Sequence, residues 1–221
     1  MEKIINNFKW IIFAISAILS IIIMCLVIKI KILPIDSWTI DLMVNDVRKE
    51  WLTAFFKVFT FFGEAKLLIP IGFLGALIGF FVVKDRKRAF CYVSNLVAIS
   101  GLNWIIKHIV QRPRPDISLR LVEEDGYSFP SGHAMITTAF YGLIICYLWN
   151  NIENKLLRNI LCLGLAFLIV MIDFSRVYLG VHYLSDVIAG SLISIAYLII
   201  AIEFAKRFIF KEDWYCSLFM I

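Results

Sequence analysis

Three short clusters in the 221-residue sequence carry side chains able to do chemistry together. In the first, Lys107 is followed after six residues by Arg114 and Pro115. In the second, Pro130, Ser131, Gly132 and His133 are consecutive. In the third, Ser175 and Arg176 precede His182 by five intervening residues, and Asp186 follows after three more. The chain has three histidines, and two of them lie in these clusters. His182 and Asp186 are spaced to share a helix face. A carboxylate bonded to one ring nitrogen fixes the tautomer and leaves the other nitrogen free to attack phosphorus. His133 can protonate the departing oxygen. Lys107, Arg114 and Arg176 put three cations beside apolar sequence, where repulsion and desolvation are costly unless an anion joins them. Tetrahedral phosphate suits both the guanidinium fork and the lysine point charge. Ser131 and Gly132 open a predicted helix, whose free N–H groups favour an anion and whose glycine permits close approach. The combined chemistry is phosphoryl transfer through a phosphohistidine that water then cleaves, driven by positioning and charge stabilisation. No metal and no cofactor is called for, because the basic cluster takes the metal's electrostatic role.

These clusters must be brought together by elements far apart in sequence. The composition is 61% hydrophobic and 18% charged, too apolar to cover a globule in water. Six apolar stretches are long enough to span a bilayer: residues 10–28, 67–83, 89–110, 134–149, 156–174 and 184–205. The expectation is an all-α, six-span transmembrane helical bundle forming a single domain over residues 1–221, with a motif-bearing core at about 65–206. The first stretch is read as an uncleaved span, since Lys29, Ile30 and Lys31 follow it where a small-residue cleavage site would stand. Between spans one and two, residues 36–64 mix charges with apolar positions 51, 52, 55, 56 and 59 on one helix face. That segment reads equally as an interfacial amphipathic helix or as a connector packed on the bundle. The five cysteines form no CxxC pair and are read as small hydrophobes. No basic helix face or zinc-finger spacing suggests nucleic acid.

Orientation follows from the short loops. Lys84, Arg86, Lys87 and Arg88, then Lys155 and Arg158, then Lys206, Arg207 and Lys211 fall on one side together with Lys3 and Lys9. The positive-inside rule makes that side the cytoplasm, with both termini there and the three clusters on the extracytoplasmic side. Arg112, Arg114 and Arg176 break the rule, and an anion site accounts for the motif arginines.

The ordered clusters resemble the signature of the type 2 phosphatidic acid phosphatase superfamily, the lipid phosphate phosphatases. Its pattern is K-x6-RP, then PSGH, then SR-x5-H-x3-D, and every motif position is met. The resemblance implies six spans and an outward-facing site in a multi-pass cell membrane protein. It implies His182 as nucleophile, Asp186 as the group that orients it and His133 as general acid. Lys107, Arg114, Ser131, Gly132 and Arg176 would bind the phosphate, without a metal ion. The implied partners are the bilayer and a lipid phosphomonoester or diphosphate: undecaprenyl diphosphate, phosphatidylglycerol phosphate, phosphatidic acid or diacylglycerol diphosphate. The family also includes soluble vanadium haloperoxidases. The small size and minimal loops suit a bacterial plasma membrane. The alternative is a non-catalytic relative that binds or moves lipid, which would not need intact His133, His182 and Asp186.

Other residues receive plainer readings. His108 is structural. Arg112 and Arg120 are surface charges of a polar loop, a substrate contact for Arg112 being the minority reading. Glu123, Glu124 and Asp125 are a solvated run. Asp173 could pair with a motif arginine, which the sequence does not decide. A Ser-His-Asp hydrolase lacks a G-x-S-x-G turn, and a zinc site lacks HExxH and would face repelling cations.

Overall fold

The computed structural model describes residues 2–210, so Lys211 and Cys216 lie outside the described residues. Eight α-helices follow one another among them: α1 (Glu2–Ile30), α2 (Pro34–Leu42), α3 (Glu50–Phe61), α4 (Ala65–Phe81), α5 (Arg86–Val110), α6 (Gly132–Asn151), α7 (Lys155–Tyr178) and α8 (Leu184–Phe204). Among the described residues, six segments are long and apolar enough to cross a membrane: Asn7–Ile30, Glu50–Phe81, Arg86–Val110, Gly132–Asn151, Lys155–Tyr178 and Leu184–Ile209. The chain is a multi-pass, all-helical membrane protein, as the hydropathy pattern predicts.

The burial pattern is that of a bundle in lipid. On α1, which packs chiefly against α8, Ile11, Ile15, Ile18 and Ile22 are exposed, while Ser16 and Ser20 are buried. Small residues at a contact let backbones approach, and the large apolar residues face hydrocarbon. The central helix is α6, which packs against α5, α7 and α8. Its first turns bury Ala134, Met135, Thr137, Thr138 and Ala139. The PSGH cluster at its N-terminus therefore starts in the middle of the bundle.

Two boundaries differ from expectation with a physical reason. Helix α7 runs to Tyr178, past the predicted end at residue 174. Ser175 and Arg176 are buried and hydrogen-bonded, so the polar motif does not end the helix. The second crossing segment includes α3 as well as α4. Within the 36–64 segment, α3 packs on α7, with the Phe56 ring 4.6 Å from Tyr178 and 5.2 Å from Phe174. Those contacts are those of a connector packed on the bundle; its outer face, with Trp51, Val58 and Phe61, is exposed and apolar.

Candidate active site

The spacing between Arg176 and His182 is set by how α7 ends. Gly180 has φ +71° and follows the cap residue Leu179. The Gly180 N–H donates to Val177 O at 3.0 Å and the Val181 N–H to Arg176 O at 3.2 Å. This is a Schellman ending, which satisfies the last carbonyls and reverses the chain. A Cβ on Gly180 would lie 2.4 Å from Leu119 O, so close approach adds to the need for glycine. The His182 N–H also donates to Arg176 O, at 3.3 Å, which returns the imidazole to the helix end that carries Arg176.

His182 precedes α8, so its closeness to Asp186 is not that of two residues on one helix. Asp186 sits in the first turn of α8, and its Oδ2 accepts from the Tyr183 N–H at 2.9 Å. Capping thus folds the carboxylate back toward the preceding residue. Asp186 Oδ2 lies 3.5 Å from His182 Nδ1. Ser128 Oγ donates to Asp186 Oδ2 and stands 3.4 Å from His182 Nδ1. On the other ring nitrogen, Arg114 Nη1 lies 3.1 Å from Nε2. A guanidinium has only donors, so Nε2 accepts and Nδ1 carries the proton on the carboxylate side. Burial, then the charges of Arg114, Lys107 and Arg176, hold the His182 imidazole well below its usual range of protonation, against an opposing hydrogen bond with the Ser128 backbone. The ring is neutral, with a lone pair on Nε2.

Arg112 corrects the surface-charge reading. It is fully buried, and all three guanidinium nitrogens are paired. Nε donates to Lys31 O at 2.6 Å, Nη2 to Asp36 Oδ2 at 2.5 Å, and Nη1 to Asp186 Oδ1 and to Ser185 Oγ at 2.8 Å. The guanidinium also stacks 4.1 Å from the Tyr183 ring. Residues before proline are extended, so side chains two apart share a side, and Arg112 and Arg114 both reach the dyad. They bracket it, Arg112 at Asp186 and Arg114 at His182. Asp36, also fully buried, completes this frame by accepting from Ser185 N at 2.9 Å and Ser185 Oγ at 2.8 Å. Sequence reasoning missed Asp36 and Ser128. The available signal was an acidic residue two positions after Pro34, at a helix start just past an apolar span.

Lys107 and Arg176 are, with Arg114, electrostatic neighbours of His182. Lys107, Arg114 and Arg176 are electrostatic neighbours of one another. Burial and the charges of its cationic neighbours, opposed by Glu124, bring the Arg114 guanidinium down to about 10. Glu124 corrects the solvated-run reading. Its Oε2 lies 2.5 Å from Arg176 Nη2 and its Oε1 3.7 Å from Arg114 Nη2. Arg176 also donates to Thr60 Oγ1 at 2.6 Å, while its Nε is buried without a partner among the described residues. Ser131 is buried and caps α6; its N–H donates to Asp186 O at 3.1 Å, joining the second and third clusters. Gly132 begins α6, and a Cβ there would lie 3.3 Å from Asn103 Oδ1. His133 has Arg176, His182, Arg114 and Lys107 as electrostatic neighbours, and its Nε2 is buried without a partner among the described residues. Gly63, at the α3–α4 corner, packs on that ring: a Cβ there would lie 2.9 Å from His133 Cδ2 and 2.6 Å from Ile172 Cγ2. All eight predicted site residues therefore share one end of the bundle. His108 stacks on Trp104 with ring centroids 4.1 Å apart, and Asp173 accepts from Ser191 Oγ at 2.6 Å. Among the described residues no group of three or more His, Cys, Asp or Glu is arranged to hold a metal ion.

The chain is similar to known proteins. The family model described as the PAP2 superfamily matches residues 88–210. Dolichyldiphosphatase 1 of Mus musculus is 32% identical over 149 residues, covering 62% of this chain and 61% of that protein. Phosphatidylglycerophosphatase B of Bacillus subtilis (strain 168) is 32% identical over 149 residues, covering 65% of this chain and 70% of that one. The match thus spans less than two thirds of the mouse protein's length. Among solved structures, a transmembrane PAP2-type phosphatidylglycerolphosphate phosphatase from Bacillus subtilis superposes with a TM-score of 0.79 at 23% identity, over 89% of this chain and 96% of that one. Aquifex aeolicus LpxE gives 0.57 at 24% identity, over 79% and 98%. At those identities the structures speak for the fold alone.

Proposed function

The chain belongs to the PAP2 superfamily, and on that premise we propose that it is a membrane lipid phosphatase acting through a phosphohistidine on His182. The observation that carries the reading is the 3.1 Å contact between Arg114 Nη1 and His182 Nε2. It leaves the lone pair of a neutral imidazole directed at a cluster of three cations, where a phosphoryl group is both electrophile and counter-ion.

In the first step Arg114 Nη1 passes its hydrogen bond from Nε2 to a phosphoryl oxygen, the freed Nε2 lone pair attacks phosphorus, the N–P bond forms and the bond from phosphorus to the lipid oxygen breaks. That oxygen takes a proton from His133, whose imidazolium is favoured by the substrate anion. As Nε2 becomes quaternised, the ring gains positive charge, and Asp186 beside Nδ1 stabilises it. In the second step water attacks phosphorus, the N–P electron pair returns to Nε2, and His133 takes the water's proton. Lys107, Arg114 and Arg176, with Ser131 and Gly132 at the start of α6, hold the phosphoryl oxygens. Metal-free chemistry fits this donor set, because three cations surround the reacting centre.

The substrate is a lipid phosphomonoester or diphosphate: undecaprenyl diphosphate, phosphatidylglycerol phosphate or phosphatidic acid. The relatives' names, one a diphosphatase and one a phosphatidylglycerophosphatase, support that class. The basic loops at the opposite end of the helices support cytoplasmic termini and an extracytoplasmic site in the cell membrane. The test is phosphate release by the purified full chain from each candidate lipid. Activity should survive EDTA and vanish in His182→Ala. Release by that variant at the parent rate would sink the mechanism, and loss on chelation restored by zinc or magnesium would favour a metal.

A further inference from the structure

The cradle cations are not bare in this structure, and one short stretch of chain supplies much of what they hold. Glu124 Oε2 lies 2.5 Å from Arg176 Nη2. Arg114 Nη2 donates to Asp125 O at 2.9 Å, and its Nε donates to Gly126 O at 3.1 Å. Lys107 Nζ donates to Tyr127 O. Four consecutive residues thus present one carboxylate and three carbonyls to the three cations that the proposed reaction assigns to phosphate. Gly126, at φ +73°, supplies the left-handed turn that lets successive acceptors face the same way. The stretch is anchored from outside the cradle, where Arg120 Nη1 donates to Glu124 O at 3.3 Å and Arg120 Nε to Pro115 O at 2.9 Å.

From this we infer that residues 124–127 are an internal, displaceable ligand of the phosphate cradle, with the Glu124 carboxylate standing in for a phosphate oxygen pair. The inference rests on the phosphatase reading and adds to it how the anion affinity is set. A phosphate cannot take the Nη2 donor of Arg176 while Glu124 holds it. Binding therefore exchanges one charge-assisted hydrogen bond for another, and the net affinity is lower than the cation count suggests. The Glu124 side chain is 30% exposed, while those of Arg176 and Arg114 are 2% and 4% exposed, so the carboxylate is the member with an open route to solvent. After hydrolysis the same carboxylate competes for Arg176 and promotes release of inorganic phosphate.

The experiment is a 31P NMR titration of inorganic phosphate against the full chain in detergent. Glu124→Gln keeps the side-chain shape and removes the competing charge, so phosphate should bind about tenfold more tightly, as loss of one charged hydrogen bond implies. Glu124→Asp, whose shorter arm withdraws from Arg176, should shift affinity in the same direction and serves if the glutamine variant folds poorly. Glu123→Gln makes the same charge change at an exposed neighbour and should leave affinity unchanged. Unchanged or weaker binding in both Glu124 variants would overturn the inference while leaving the phosphatase reading intact. An equal shift in Glu123→Gln would also overturn it, by assigning the effect to loop charge. Failure of the parent and of every variant to bind phosphate would remove the anion-site reading itself.

Discussion

Arg112 and Arg176 are both buried arginines at the same end of the bundle, and they are balanced in opposite ways. Arg112 meets two carboxylates that are as buried as itself, Asp36 and Asp186, and has every guanidinium nitrogen paired. Arg176 meets one carboxylate from a partly exposed loop, Glu124, with Glu64 acting from farther away, and keeps an Nε that is unpaired among the described residues. A buried charge needs its partners inside the fold, or else a partner that arrives with function. Arg112 is therefore a fixed strut that holds Asp186 in place. Arg176 is a cation whose charge is available to a ligand.

The largest effect should come from removing each arginine in turn. Arg112→Met leaves Asp36 and Asp186 facing each other without a cation, and breaking a buried pair in this way costs about 3–5 kcal/mol. Thermal unfolding in detergent should show a large fall in Tm. Arg176→Met removes a poorly matched cation, so Tm should hold or rise while kcat falls about 10²–10³-fold through lost transition-state charge stabilisation. Equal losses of stability in the two variants would erase the distinction. Arg176→Lys keeps charge and loses the fork, and phosphate release should fall roughly 10-fold or more, chiefly through KM. A full-rate lysine variant would mean that a point charge suffices there.

Smaller effects probe the strut. Asp36→Asn keeps one acceptor oxygen and weakens the hold on Arg112 and, through it, on Asp186. The expected result is a kcat about tenfold lower with KM nearly unchanged, since small misplacements of a reacting group affect rate before binding. A rise in KM without a fall in kcat would instead make Asp36 part of the substrate surface. Gly63→Ala tests the corner on the other side, where the added methyl meets the His133 ring. It too should lower kcat more than it raises KM, measured by the same assay.

The contrast between the arginines also marks what could be read from sequence. Six apolar stretches announce the spans because lipid exposure is written along the chain at helical length. The three clusters announce the cations and the histidine pair. The spacing from Lys107 singles out Arg114, but nothing along the chain says what Arg112 does, since it too precedes proline and lies two residues away. Their partners decide the difference, and those are distant: Asp36 lies 76 residues from Arg112 and Asp186 lies 74. Glu124 looked solvated because acidic runs in loops usually are; only the fold puts its carboxylate at Arg176. The His182–Asp186 spacing suggested a helix face, yet the contact arises from a cap, since α8 starts after His182. A four-residue interval serves both geometries, and only the helix boundary distinguishes them.

The finest test lies in the titration of His182. Its neutral form is the proposed nucleophile, and burial together with Arg114, Lys107 and Arg176 holds its pKa below the ordinary histidine value of 6.5. As pH falls through that depressed value the ring is protonated and the nucleophile is lost, so the acid limb of kcat/KM should lie below pH 6.5. Arg176→Gln removes one of the positive neighbours that disfavour imidazolium, so the acid limb should move up toward 6.5. Arg112→Lys should not move it, because that charge is taken up by Asp36 and Asp186. With only three histidines in the chain, NMR of histidine-labelled protein can follow the same proton without turnover, His182 being identified by its absence in His182→Ala. A limb that moves with Arg112→Lys and stays fixed with Arg176→Gln would reverse the roles of the two arginines, making Arg112 the charge that the reacting nitrogen feels.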